Sequence, residues 1–320
     1  MEKTDLPLIS VNILSWNRKP DLAFILTQIK QANYPPDKLE VIVVDNASAD
    51  GAPEMVEKDF PEVKLIRRKI NNGIGGWNDG FAIARGEYII VLDDDAYPAP
   101  DAYYNIVKFF GQNQRCGILA MGMIHGFNSE SAPICFKCAW DDTVALGFSG
   151  GTAVIRKKVI EEVDGYDEHL FLGAHELDFA IRVLDGGFEI KHTHKIMCFH
   201  KVAGGYRRDG RYIYYNTRNK LWVTWKYFPL YAILISNIIW IAHSFILSIT
   251  TNTFKGFLRS LTDAFKGMSY LRKSYPRYHL VNPAVTKRLL RRFSYKTFIL
   301  GIKDIKIIRS AFVKASKLIL

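Results

Sequence analysis

Three carboxylates stand side by side at Asp93, Asp94 and Asp95, directly after the apolar run Tyr88 to Leu92 and ahead of Pro98 and Pro100. Adjacent carboxylates repel, so an apolar strand that runs into three of them needs either open water or a cation at its end. In extended chain Asp93 and Asp95 project to one side and Asp94 to the other, which lets the alternate pair share one target. A divalent cation such as Mg2+ or Mn2+ held by two carboxylates keeps positions for phosphate oxygens and offsets the charge on a departing diphosphate. A second acid, Asp45 in VVDNAS, can accept hydrogen bonds from a nucleobase or ribose, or close a helix cap or Asx turn. Ser15 and Asn17, in LSWNR, would line the same crevice.

The elements around these residues set where they meet. Over the first 110 residues apolar runs alternate with helical patterns, which predicts βαβ units and a parallel sheet covered by helices. Strands are expected at 8–16, 39–48 and 63–68, a helix at 19–30, and a glycine-rich loop passing into a helix over 71–86, before EYIIVL brings the fourth strand to the aspartates. Ligands of open parallel sheets sit beyond the carboxyl ends of the strands, so Asp45, Asn46 and Asp93 to Asp95 should converge on one crevice. Farther on, 147–155 reads as a glycine hinge into a strand, 175–187 as a helix stopped by glycine, and 188–200 as a strand pair ending in His200. Trp77, in the glycine-rich loop, is either a core aromatic or a platform for a substrate ring. Arg182 reads as a structural ion-pair partner, and Arg218 as a structural or phosphate-facing cation.

A chain of 320 residues buries a large core and has room for one domain with an appendage or for two domains. The net charge of +11 is uneven: residues 251–320 hold 16 Lys and Arg against 2 Asp and Glu, and the rest is slightly acidic. A basic tail on a near-neutral globule reads as contact with an anionic surface, membrane or nucleic acid. Four cysteines and no signal-peptide pattern point to a reducing cytoplasm, and the lone Cys135–Cys138 pair lacks the further ligands of a zinc site. From Tyr227 to Phe254 no residue carries a formal charge, so a membrane-spanning helix has to be weighed against one lying in the membrane plane. The polar residues Ser236, Asn237, His243, Ser244, Ser248 and Thr251 share one helical sector, which favours the in-plane arrangement. The last segment, 295–320, sets Lys296, Lys303, Lys306, Lys314 and Lys317 on one side of an apolar helix, a pattern suited to anionic headgroups or to packing on the core.

The blocks VNILSWNR, VIVVDNASADG, NNGIGGWNDGFAIARGEYIIVLDDD, GFSGGTAVIRKKVIEEVDGYDEHLF and HELDFAIR, followed by His200, resemble the family 2 glycosyltransferases over about residues 8–220. YIYYNTRNKLW further resembles the rhamnosyltransferase-like branch. The resemblance implies a GT-A α/β fold, a Rossmann-like mixed sheet over 1–210, and the charge and patterning described above make 211–320 a helical, basic, membrane-associating region. It also implies an inverting enzyme that moves a sugar from a UDP-, dTDP- or GDP-linked donor to a saccharide or lipid-linked acceptor. The expected setting is cell-surface polysaccharide or glycolipid synthesis at the inner face of the cell membrane. Carried over by position, Asp45 holds the nucleoside, Asp93 and Asp94 belong to the donor contacts, and Asp93 and Asp95 engage the metal, Mg2+ or Mn2+. The family's metal-binding histidine falls on His200, with His192 and His194 close by. Gly150 and Gly151 let the chain pass beneath the donor sugar, or make a tight turn. The family carries a Glu-Asp pair whose aspartate is the general base; here His175 and Glu176 take those places. Glu176 is then the expected base, with Asp178 as the alternative, or as a first-turn helix carboxylate. Two rival classes remain at this stage. A nucleic-acid-binding protein would show steep salt dependence without a metal, and is opposed by the acidic triplet. A non-catalytic nucleotide-sugar-binding scaffold would show no turnover to lose.

Overall fold

The computed structural model describes residues 6–125, 134–135, 144–201, 210–274 and 281–292, in two compact units, Met1–Gly204 and Gly205–Leu320. The strands are β1 (Ile9–Ser15), β2 (Leu39–Asp45), β3 (Lys64–Arg67), β4 (Tyr88–Asp93), β5 (Ala96–Pro98), β6 (Cys116–His125), β7 (Ile134–Cys135), β8 (Val144–Ala145), β9 (Thr152–Arg156) and β10 (Glu189–His200). The helices of the first unit are α1 (Lys19–Ile29), α2 (Ala52–Asp59), α3 (Gly76–Ile83), α4 (Ala102–Gln112), α5 (Lys157–Val163) and α6 (His175–Asp185). One sheet runs β3-β2-β1-β4-β9-β6-β10-β5, with β7 on β6 and β8 on β10. The first four strands are parallel, as the βαβ pattern predicts. β9 then enters antiparallel between β4 and β6, so the whole sheet is mixed.

α1 shows why these residues fold as they do. Pro20 and Asp21 open it, which suits a first helical turn with no amide partners, and Leu22, Ile25, Leu26 and Ile29 recur on one buried face. That face joins Ile9, Val11 and Ile13 of β1 in the main core. Each such side chain taken out of water contributes about 1.5–3 kcal/mol. β4 is apolar from Tyr88 to Leu92 because both its faces are covered, and its first polar residue is Asp93, where the strand ends. In register, Ser15 lies opposite Asp45, and Leu14 opposite Asp93.

The strand pair expected over 188–200 is instead one continuous strand, β10, parallel to β6. KHTHK contains no Gly, Pro, Asn or Asp to reverse the chain, so the charged stretch is absorbed as an irregularity between Thr193 and Met197. Gly122 of β6 makes this possible, since a Cβ there would stand 2.7 Å from Met197 Sδ and 2.9 Å from the His194 backbone.

The second unit contains α7 (Gly210–Tyr227), α8 (Leu230–Thr250), α9 (Phe254–Ser274) and α10 (Pro283–Arg292). On α8 the serine sector is turned into the unit and the apolar side outward. Ala232, Ser236, Trp240, Ser244 and Ser248, one every fourth residue, are its buried face, while Leu230, Leu234, Ile238, Phe245 and Ile249 are exposed. Small serines let helices approach closely, and Thr224 of α7 donates to Asn237 at 2.8 Å. Arg218 stacks over Trp222, 4.2 Å from the ring centre, and its Nε donates to Asn219 at 2.9 Å. The Cys135–Cys138 pair, as side chains, and the segment 295–320 lie outside the described residues.

Candidate active site

The carboxylates of 93–95 sit where β4 gives way to β5. Asp93 is the last residue of the strand and its side chain is 42% exposed, whereas those of Asp94 and Asp95 are buried. Asp94 turns away from its neighbours: its Oδ2 accepts the Trp16 N–H at 3.1 Å. Burial pushes its carboxyl up to about 7, against the pull of Arg18. Asp93 and Asp95 share His200, whose Nε2 lies 3.6 Å from Asp93 Oδ2 and 3.3 Å from Asp95 Oδ1. His200 reaches them because it is the last residue of β10, in register with Ala96, and because Lys201 N donates to Asp95 O at 2.9 Å. His192 is set far back on the same strand, opposite Ala120 of β6.

The repulsion that the triplet poses is therefore relieved within the chain. Arg18 Nη1 is bonded to Asp95 and lies 3.5 Å from Asp94 Oδ1. Burial works against ionisation of Asp95, but His200 and Arg18 outweigh it and hold the carboxyl below its usual range. Burial alone would lower His200; its hydrogen bonds to Asp93 and Asp95 instead raise the imidazole to about 9. Arg18 is a functional candidate missed in the sequence, although its position three residues after Ser15, where β1 ends beside β4, is a usable signal. The donor atoms of Asp93, Asp95 and His200 lie within 4.8 Å of one another. Two carboxylates and an imidazole at that separation fit a divalent cation, Mn2+ better than Mg2+ because of the nitrogen donor.

Next to this corner, at the ends of β1 and β2, are two buried oxygens with no hydrogen-bond partner, Ser15 Oγ and Asp45 Oδ1. The other Asp45 oxygen accepts Ser48 N at 3.0 Å, the Asx-type turn, so one oxygen holds the loop and one is left over. A buried polar atom without a partner costs about 1–3 kcal/mol, which a ligand hydroxyl or amide in this crevice would offset. The side chains of Asn17 and Asn46 are engaged within the chain. Asn17, at φ 53°, accepts Ala49 N at 2.7 Å, and Asn46 donates to Asn71 Oδ1 and Gly73 O, both at 2.9 Å. Both asparagines staple the loops that frame the crevice. Arg68, whose Nη1 is buried without a hydrogen-bond partner and whose backbone N donates to Asp45 O at 2.9 Å, carries no motif that marks it in the sequence.

Glu176 and Asp178 part company in the first turn of α6. Asp178 is fully buried and accepts Arg182 Nε at 3.1 Å and Nη2 at 2.9 Å. Arg182 in turn holds the carbonyls of Val163, Asp164 and Gly165, so this pair anchors α6 to the loop before it. That placement gives Asp178 the structural alternative, because a base must face the proton it removes. Glu176 is 30% exposed and lies against Gly150, where an added Cβ would be 3.3 Å from Glu176 Oε1. A Cβ on the adjacent Gly151 would collide with the Asp93 carboxylate. The two glycines thus let Glu176 and the metal-type corner approach the same stretch of backbone from opposite ends. Trp77 takes the core alternative: it is 3% exposed and its Nε1 donates to Leu92 O at 3.2 Å.

Comparisons with known proteins agree with this architecture. Residues 10–133 match the family model described as Glycosyl transferase family 2. The chain is similar to a probable glycosyltransferase, YdaM, of Bacillus subtilis, at 27% identity over 58% of this chain and 49% of that protein. It is also similar to the beta-monoglucosyldiacylglycerol synthase of Trichormus variabilis, at 27% identity over 56% of this chain and 42% of the relative. The matches thus span about half the length of these curated relatives or less. Among solved structures, the mannosyltransferase PcManGT from Pyrobaculum calidifontis, in complex with GDP-Man and Mn2+, matches with a TM-score of 0.54 at 19% identity, over 98% of this chain and 88% of that one. The fold is GT-A.

Proposed function

From the premise that residues 10–133 form a family 2 glycosyltransferase domain, we propose that this chain transfers a sugar from a nucleoside diphosphate donor to an acceptor hydroxyl in one inverting displacement. The observation that carries the reading is the convergence of Asp93, Asp95 and His200 within 4.8 Å, with Glu176 across the Gly150–Gly151 hinge. Glu176 takes the proton of the acceptor hydroxyl as its oxygen bonds to the anomeric carbon, and the electron pair of the breaking sugar–phosphate bond leaves with the diphosphate. A Mn2+ or Mg2+ ion held by Asp93, Asp95 and His200 would stabilise the charge on that diphosphate. Ser15 Oγ and Asp45 Oδ1 bind the nucleoside, which supplies their missing partners. Asp94 shapes the donor site indirectly, by holding the Trp16 amide.

The donor is UDP-, dTDP- or GDP-linked, with deoxyhexoses included, and the acceptor is a saccharide or a lipid-linked sugar. The lipid class is supported by the named activity of the Trichormus relative and by α8, which by length and composition suffices to cross a membrane and keeps its apolar side exposed. The catalytic part, 1–210, would then work at the inner face of the membrane, held there by 211–320. A thermal-shift screen of UDP, dTDP, GDP and their sugar conjugates, with and without Mn2+, tests the site. Stabilisation by one nucleotide that needs the cation is the expected result. Stabilisation indifferent to Mn2+ would remove the metal assignment, and turnover by Glu176→Gln above about a tenth of wild type would remove the base.

A further inference from the structure

His175 is buried to 5% exposure, yet neither of its ring nitrogens has a hydrogen-bond partner. Its walls are aromatic: the Trp77 ring centre is 5.8 Å away and tilted by 31°, and Tyr166 meets it edge-on at 5.1 Å. A histidine kept solely for packing would be served by phenylalanine at lower desolvation cost, since each unpaired polar atom in such a pocket is unfavourable. Two directions remain open to the ring. Nε2 points at Gly150, where a Cβ would stand 2.8 Å from it. Nδ1 lies 3.3 Å from Glu176 Oε2, close enough in distance though not aligned as a hydrogen bond. Glu176 Oε1 borders the same gap at Gly150.

The backbone leading into this pair is unusual as well. Phe171, Gly173 and Ala174 all have positive φ, at 57°, 72° and 59°, two of them in residues with a Cβ. Such conformations cost on the order of 1–3 kcal/mol each and persist where the surroundings fix them, here delivering His175 and Glu176 to the hinge.

Resting on the assignment of Glu176 as base, we propose that His175 is its positioning residue: Nδ1–H holds Oε2, so that Oε1 faces the acceptor side of the Gly150–Gly151 gap. The bond tightens when substrate closes the site, as hydrogen bonds to catalytic groups commonly do. Holding one carboxylate oxygen lowers the rotational freedom of a side chain that is one methylene longer than aspartate.

Three His175 variants, Glu176→Gln and one spectrum test this. In 15N-histidine-labelled protein, long-range 1H–15N correlations should show His175 as the Nδ1–H tautomer, with the Nδ1 signal displaced in Glu176→Gln; an Nε2–H tautomer overturns the proposal with no need of a substrate. Turnover is read as nucleotide release from whichever of UDP-glucose, UDP-GlcNAc, dTDP-rhamnose and GDP-mannose proves to be the donor. His175→Phe should lower kcat at least tenfold with donor KM within twofold and an unchanged nucleotide-induced thermal shift. His175→Asn, whose amide nitrogen occupies the Nδ1 place, should restore most of kcat, and His175→Gln, which mimics Nε2, should not. If the Phe variant fails to fold, the Asn and Gln pair decides. Equal kcat in Asn and Gln, or a Phe variant at wild-type kcat, overturns the proposal. The base assignment is separable: an active Glu176→Gln removes base and positioning role together, whereas an inactive one beside a fully active His175→Phe removes only the latter.

Discussion

At the scale of single residues, the acidic triplet is a divided set: Asp94 is used by the fold, while Asp93 and Asp95 converge on His200. Gly151 allows this, because any Cβ there would strike the Asp93 carboxylate. That carboxylate is the far end of a half-exposed side chain and can swing aside at small cost. Gly151→Ala is therefore expected to change stability by less than about 1 kcal/mol but to abolish the Mn2+-dependent thermal shift, as Asp95→Asn should. Turnover in either variant should fall about a hundredfold or more. An Ala variant that keeps the Mn2+ response would mean that Asp93 is not needed at the ion. The acids themselves were readable because they are contiguous, and a parallel strand end tells what they are for. Arg18 and the buried His175 were not readable as partners of anything, since their partners are brought to them by chain folding from 77 residues away in one case and by the backbone turn at Ala174 in the other.

At the scale of elements, periodicity and punctuation carried most of the information. β1, α1, β2 and β4 follow from apolar spacing and their flanking prolines and polar turns. Strand direction does not appear in such patterns: β9 reads the same whether parallel or antiparallel, and β10 differs from a strand pair only in lacking turn residues. What ties the elements together is also hidden in single buried charges. Glu40 of β2 is 7% exposed and accepts Ser10 Oγ of β1 at 2.5 Å, Lys64 Nζ of β3 at 2.7 Å, and Arg85 N at 2.6 Å. Burial alone would raise its pKa, but these donors bring it down to about 2 from 4.5. Because the folded value is the lower one, the stabilisation is complete above pH 4.5 and is lost as pH falls from there toward 2. The shift corresponds to about 3 kcal/mol by linkage. Melting curves of the wild type and Glu40→Gln between pH 7 and 3 should draw together once the pH drops below 4.5, the lead of the wild type narrowed but not gone at pH 3. Parallel curves would show that Glu40 contributes nothing through its charge.

At the scale of the whole molecule, the second unit inverts the ordinary arrangement of a water-soluble helix. On α8, Ser236, Ser244 and Ser248 are buried at 0%, 6% and 0% exposure, while Leu234 and Ile238 stand 56% and 69% exposed. Water around such a face is unfavourable, and a hydrocarbon phase removes that cost at roughly 25 cal/mol per Å2. The 21 residues of α8 extend about 31 Å, close to the thickness of a bilayer core. The basic excess of 251–320 adds attraction to anionic headgroups, about 1 kcal/mol for each Lys or Arg near the surface. The sequence displayed the serine sector but could not say which way it faced, and only packing within the unit decides that. The double variant Leu234→Lys/Ile238→Lys should therefore lose at least tenfold in partitioning to phosphatidylglycerol-containing vesicles while its circular dichroism stays unchanged, since neither side chain supports the fold. Ser244→Lys should do the reverse, unfolding the unit by forcing a charge into a buried helix contact. Raising the salt should weaken vesicle binding only partly if the apolar face carries it, whereas complete release at high salt would leave the basic residues as the sole attachment. Should the lysine pair bind vesicles as well as the wild type does, α8 meets something other than lipid.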